Sequence, residues 1–304
     1  MIVTDFRCVP KFEKKNHHYV PRFWQRHFYG HNGNLFKTQR GGYVAASVAS
    51  TMTSDWTYTS FDEHWRPMDI VEDDLSELEN HAALLYQRIL PPGRDVTNDD
   101  WVALCAWLGL SAARHPNVMA KTNKLGADFL RLLKAENDQF LSYESLKNYF
   151  EVTLGLPLKR DEYEKIIEIG SQGLEGVALY VEEMLPYAPE LPQTDALRAK
   201  DLISQSIQEM DLFLIDAPSG YEFILGDNPV PNEKLGFGFT VPLSKTVALM
   251  ACVSQEPGKP QRSRCSGTAA EVEKVNLEQI SRSKEAISSS KDILKEYVEK
   301  FYVT

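Results

Sequence analysis

Residues 211–252, DLFLIDAPSGYEFILGDNPVPNEKLGFGFTVPLSKTVALMAC, decide the fold class. Leu212-Phe213-Leu214-Ile215, Glu222-Phe223-Ile224-Leu225, Phe239-Thr240-Val241 and Thr246-Val247-Ala248-Leu249-Met250 are short β-prone runs broken by Gly, Pro, Asn and Ser. The residues on either side repeat with a helical period. Upstream, Val71, Leu75, Leu78, Ala82, Leu85 and Ile89 recur at spacings of three and four, which predicts a helix ended by Pro91-Pro92-Gly93. Thr97 is an N-cap residue with Asp99 and Asp100 in the first turn, so a helix runs from Trp101 to about Arg114. Trp101, Leu104, Cys105, Leu108 and Ser111-Ala112 make it a core helix.

Further helical patterns cover about 116–136, 143–152, 160–169, 173–185 and 194–210. Residues 254–268 read as a polar loop, and two helices, about 269–287 and 289–301, follow. The first 60 residues are irregular, with runs near Leu35-Phe36-Lys37 and Tyr43-Val44 that suit a hairpin. Strands, many helices, strands, helices is an α+β order without βαβ alternation. The expectation is a mostly helical single domain over 1–304: a strand-rich segment 1–60, a helical body 70–210, a sheet segment 211–252 and C-terminal helices 268–301. An isolated hairpin is marginal in water. The N-terminal strands and residues 211–252 are therefore expected to share one small, mainly antiparallel sheet.

Composition bounds the function. The chain has 304 residues, 43% of them apolar, and a net charge of -10. No run approaches the roughly 18 apolar residues of a membrane span, and the start lacks a signal-peptide core. Cys8, Cys105, Cys252 and Cys265 form no CxxC pair and read as reduced thiols, so a cytoplasmic protein without membrane attachment is expected. The acidic balance disfavours a general nucleic-acid binder. Residues 1–40, however, carry eight Lys/Arg against Asp5 and Glu13, and residues 61–100 carry eleven acids against three Arg. Either the two stretches face each other, or the basic segment is a local patch for nucleic acid or another anion.

Four groups of residues could carry chemistry. His17-His18 beside Pro21 can supply a general base or a metal ligand, although neighbours in an extended segment point to opposite faces. Asp227-Asn228-Pro229 follows a β-prone run, a place equally suited to a catalytic carboxylate and to a turn. Glu72 and Glu79 lie two turns apart on one helix face, and Arg114-His115-Pro116 could offer a cation to a buried carboxylate. Phosphate-loop, dinucleotide, HExxH and GxSxG motifs are missing. An HNH-nuclease reading of His18 and Asn34 lacks its final His.

Taken together, His17-His18-Tyr19-Val20-Pro21-Arg22-Phe23-Trp24-Gln25-Arg26-His27-Phe28, the acidic helix Glu72 to Glu79, Ala113-Arg114-His115-Pro116, Phe223-Ile224-Leu225-Gly226-Asp227-Asn228-Pro229-Val230, Val241-Pro242-Leu243-Ser244 and Val275-Asn276-Leu277 occur in order. The series resembles a widespread microbial domain-of-unknown-function family with an HHYVP-type start and an SDNP-type later motif, here with Gly226 where Ser is usual. The resemblance supplies no reaction. It implies either that these motifs converge in one polar pocket or that they are a folding signature. The leading expectation is a phosphodiesterase or nuclease, in phage defence or a toxin system. His17 or His18 would be base or metal ligand, and Asp227 with Glu72 or Glu79 the carboxylates. Arg22, Arg114 and Asn228 would hold substrate, and a divalent metal would sit at His18 and Asp227. The alternative is a non-catalytic module that docks a partner through the N-terminal basic and aromatic segment.

Overall fold

The computed structural model describes residues 16–39, 42–55, 57–58, 60–61, 67–68, 70–118, 142–149, 151, 157–161, 163–164, 191–231, 235–256 and 258–303. In chain order the elements are β1 (Asn16–His18), α1 (Arg22–Arg26), β2 (Phe36–Gln39), β3 (Gly42–Ala45), β4 (Thr53–Asp55), β5 (Ser60–Phe61) and β6 (Pro67–Met68). Next come α2 (Ile70–Ile89), α3 (Asn98–Ala113), α4 (Tyr143–Tyr149) and α5 (Leu191–Gln208), then β7 (Asp211–Asp216), β8 (Leu225–Gly226), β9 (Phe239–Pro242), β10 (Val247–Cys252) and β11 (Arg262–Ser266). The chain closes with α6 (Ala269–Arg282), β12 (Ala286–Ser288) and α7 (Lys291–Val303). No helix among the described residues is long and apolar enough to cross a membrane. The expected helices over 116–136 and 173–185 lie outside the described residues, except for 116–118.

The class is α+β, but the expectation of a mostly helical chain with one small sheet needs correction. The strands form two four-stranded sheets, ordered β11-β7-β10-β9 and β3-β2-β12-β8, and two two-stranded ladders, β1-β4 and β5-β6. The first sheet is mixed, because β11 runs parallel to β7 while β7, β10 and β9 are antiparallel. The N-terminal strands do not join it. β2 pairs with β12, and β12 pairs with β8, so the N-terminal hairpin shares a sheet with the 211–252 segment only through Leu225–Gly226, with β12 between them. The edge strand β11 and the bridging strand β12 both fall where the sequence suggests something else. β11 lies inside the polar 254–268 stretch, and β12 overlaps the end of the expected 269–287 helix. That helix stops at Arg282, and Ser283 turns extended (φ -115°, ψ 146°). From there the backbone bonds go to distant strands, which helical period cannot foresee.

Local signals specify the helices well. Thr97 Oγ1 accepts the Asp100 N–H, and the Asp100 carboxylate accepts the Thr97 N–H, a reciprocal cap that starts α3. Leu75, Ala82, Leu85, Tyr86 and Ile89 of α2 are buried, whereas Leu78 points outward. α3 is buried nearly all round, and at Gly109 it lies directly against α5. A Cβ there would lie 2.5 Å from the Lys200 carbonyl oxygen. One continuous core links α1 through Trp24 and Phe28, α3 through Leu104, Cys105 and Leu108, and the mixed sheet through Leu212, Leu214, Val241 and Leu249.

Leu104 is fully buried, so Leu104→Ala lowers unfolding free energy by about 2–5 kcal/mol through the cavity it leaves. A urea midpoint equal to that of the wild type would show that the site collapses without cost. Burial pushes the Cys105 thiol up to about 11, so Cys105 stays unmodified by a thiol reagent under native conditions.

Candidate functional site

Arg114, at the C-terminal end of α3, is completely buried. Its Nη1 donates to Glu79 Oε1 of α2 (2.7 Å), its Nη2 to the His18 carbonyl of β1 (2.9 Å) and its Nε to the Tyr58 hydroxyl (3.2 Å). The Tyr58 hydroxyl donates in turn to the Arg114 carbonyl (2.7 Å), and the guanidinium lies over the Tyr58 ring. A buried cation costs several kcal/mol of desolvation unless paired and bonded, and Arg114 meets that condition by drawing three distant segments together. Glu72 shares the helix face with Glu79: both charges act on the Tyr58 hydroxyl, whose acidity burial already lowers.

The two histidines of the opening motif part company, as extended neighbours must. His17 is 1% exposed, stacks on Tyr58 and accepts the Tyr58 N–H at Nδ1 (2.9 Å). His18 is half-buried, and its Nε2 lies 2.7 Å from the Val48 carbonyl, which requires a proton on Nε2. The Arg22 Nε, 3.3 Å away, faces the same nitrogen. Two donors cannot share it, so the shorter bond fixes the tautomer and leaves Nδ1 as the proton acceptor. Burial, and then the Arg22 and Arg114 charges, bring the His18 pKa down to about 4.

A second cluster lies one residue further on. The Tyr19 hydroxyl donates to Asp227 Oδ2 (3.4 Å), joining β1 to the turn after β8, and the Tyr19 ring meets His115 edge-on at 5.3 Å. Asp227 is 7% exposed, and its Oδ1 accepts the Lys284 N–H (3.0 Å). Burial raises its pKa, with the Glu285 charge acting the same way. Burial, reinforced by Asp227, also raises the pKa of Tyr19. His115 is buried too, and desolvation lowers its pKa to about 4. Its Nδ1 accepts the Asn117 N–H (3.2 Å). Its ring lies against the Asp227 backbone, and Nε2 has no hydrogen-bond partner of ordinary geometry. Nearby Met52 holds φ 53°, rare for a residue with a side chain. It is clamped by Tyr19 N–H on its carbonyl and by Glu285 Oε1 on its own N–H.

The turn bearing Asp227 is fixed by side chains of α6 and the residue after it. Asn276 accepts the Ile224 N–H and donates to the Glu222 carbonyl; Gln279 accepts the Gly226 N–H and donates to the Pro229 carbonyl. Arg282 donates to the Asn228, Pro229 and Thr240 carbonyls at 2.9, 2.6 and 2.6 Å. Gly226 is required here, because a Cβ would collide with the Ser283 side chain.

Of the residues singled out in the sequence, the structure links His17, Glu79 and Arg114 into one knot with Glu72 beside it. Asp227 sits in the neighbouring cluster, His18 between the two, and Arg22 exposed on the His18 side. Among the described residues, no group of three or more His, Cys, Asp or Glu could hold a metal ion, so His18 and Asp227 have no third such donor there. Of the eight N-terminal cations, Arg7, Lys11, Lys14, Lys15 and Arg40 lie outside the described residues. Tyr19 and His115 do not stand out as site residues in the sequence, although each adjoins one that does. Residues 16–292 match the family model described as a protein of unknown function (DUF4238), and the chain belongs to that family. No curated protein and no solved structure matches it.

Glu79→Ala leaves Arg114 buried without this carboxylate and costs about 3 kcal/mol, the lower end of the range for broken buried pairs, because Glu79 is a quarter exposed. A change below about 1 kcal/mol in chemical denaturation would show that the knot is held by its carbonyl and hydroxyl bonds alone. His18 and His115 titrate near 4 when folded against about 6.5 when unfolded. The unfolded chain therefore binds more protons between these values. Their contribution to stability is complete above about pH 6.5 and is lost as pH falls toward 4. Melting temperature followed from pH 7 to 4 falls less steeply in His115→Gln; an unaltered slope would remove His115 from the account.

Proposed function

We propose that the protein cleaves phosphodiesters by general acid–base chemistry at the Tyr19–His115–Asp227 cluster, with His18 and Arg22 beside it. The observation that carries this reading is a buried carboxylate bonded to a tyrosine hydroxyl and flanked by a buried neutral histidine. Burial lowers the pKa of His115 and raises that of Asp227, and titratable groups displaced together by burial are a mark of acid–base sites. His18, its pKa lowered chiefly by burial, stands neutral at physiological pH with Nδ1 able to take a proton, and an approaching phosphate offsets the Arg22 charge that adds to that lowering. Arg22 is the exposed cation for the phosphate; Arg114, Glu79 and His17 serve the frame that holds His18 and Tyr19. Nucleic acid as the partner and a setting in phage defence or a toxin system belong to the same proposal.

A non-catalytic docking module is the second reading. It is favoured by one observation: both motif histidines already bond backbone groups, His17 to Tyr58 and His18 to Val48.

One assay separates the two. Labelled RNA and DNA oligonucleotides and bis(4-nitrophenyl) phosphate are incubated with the purified protein in Mg²⁺, Mn²⁺ or EDTA. Cleavage is expected, reduced about 100-fold or more in Asp227→Asn and His115→Gln variants whose melting curves remain cooperative. Intact substrates in every condition would sink the enzyme reading and leave the module.

A further inference from the structure

We infer that His115 and Asn228 recognise a phosphate ester with a neighbouring hydroxyl, so that the substrate class is RNA rather than DNA; this rests on the phosphodiester reading above. Buried polar atoms without partners are rare in folded proteins. Five such side-chain atoms occur among the described residues: Glu72 Oε2, Tyr86 Oη, Trp107 Nε1, His115 Nε2 and Asn228 Oδ1. Tyr86 and Trp107 lie against each other, and Glu72 has other interactions. The remaining two, His115 and Asn228, both border Asp227: Asn228 follows it in the chain and the His115 ring lies against its backbone.

Their chemistry is complementary. The Asn117 N–H occupies His115 Nδ1, so the neutral ring carries its proton on Nε2 and offers a donor. Asn228 has its carbonyl held by Arg282 and its N–H 3.5 Å from Ser283 Oγ, which fixes the backbone and leaves Oδ1 as an acceptor. A donor and an acceptor therefore flank one turn. The exposed Lys284, whose charge reaches His115, supplies a cation beside them.

A phosphate oxygen suits the His115 donor and the lysine. The Asn228 acceptor requires a hydroxyl or N–H on the same ligand. DNA carries its N–H donors on the bases, and beside its phosphates the internal backbone offers only oxygen acceptors. Ribose places a 2′-hydroxyl next to the 3′-phosphate, and that group distinguishes the two polymers. The paired unmet atoms thus fit a ribose 3′-phosphate.

The test compares uridine 3′-monophosphate with 2′-deoxyuridine 3′-monophosphate by calorimetric titration of the full chain, alongside cleavage of RNA and DNA of one sequence. The ribonucleotide is expected to bind at least tenfold more tightly, and RNA to be cut in preference. Asn228→Leu removes the preference, and Asn228→Ser, which retains a hydroxyl acceptor, keeps part of it. If Asn228→Leu does not fold, the wild-type comparison still decides. Equal affinity for the two nucleotides with equal cleavage of RNA and DNA overturns the inference and leaves phosphodiester cleavage standing, the two atoms then serving an ordered water. No binding of either nucleotide and no cleavage of either polymer overturns both.

Discussion

The buried guanidinium of Arg114 is the constraint around which the described fold is arranged. A cation removed from water needs a carboxylate and hydrogen-bond acceptors, and here these come from three separate places in the chain. α2 supplies Glu79, β1 supplies the His18 carbonyl and the 57–58 turn supplies Tyr58. Because Arg114 closes α3, its position is set by the core packing of that helix. The His18–Tyr19 backbone is therefore located by the packed core, and Tyr19 is in place to meet Asp227 and His115.

Around the opening motif this arrangement separates groups that bond the framework from groups that reach beyond it. His17 and Arg114 face inward and bond the framework, whereas Tyr19 and Arg22, two and five residues beyond His17, reach Asp227 and solvent respectively. On the far side, Asn276, Gln279 and Arg282 hold the Asp227 turn by its backbone, leaving its carboxylate for Tyr19 and the Lys284 amide. Family membership adds no reaction to this picture; the chemical reading stands on the geometry.

The features legible in the sequence are those that local forces decide. The Thr97 cap, the apolar face of α2 and the core character of α3 come from period and capping, which act within a few residues. The apolar runs of β7, β9 and β10 can be read for the same reason. β11 and β12 cannot, since Arg262–Ser266 is polar and Ala286–Ser288 is too short to show a period. Their bonds go to strands 50 to 250 positions away. The site divides along the same line. Asp227, His18 and Arg114 stand out as chemical residue types inside motifs. Tyr19 and His115 gain their meaning only from meeting across the fold, and the burial that displaces their pKa values is invisible in one dimension.

Between Glu222 and Pro229 side chains of a helix, beside the short pairing of β8 with β12, satisfy much of a stretched backbone, and this changes how its alignment is held. A ladder between strands repeats every two residues and tolerates slippage in steps, since each shifted register still offers amides and carbonyls. Asn276, Gln279 and Arg282 instead recur every three residues along α6 and present a fixed set of side-chain groups to named carbonyls and amides. One residue inserted or lost ahead of them would rotate that face by about 100° and release every contact at once. The phase of α6 thus acts as the reading frame for the loop that carries Asp227.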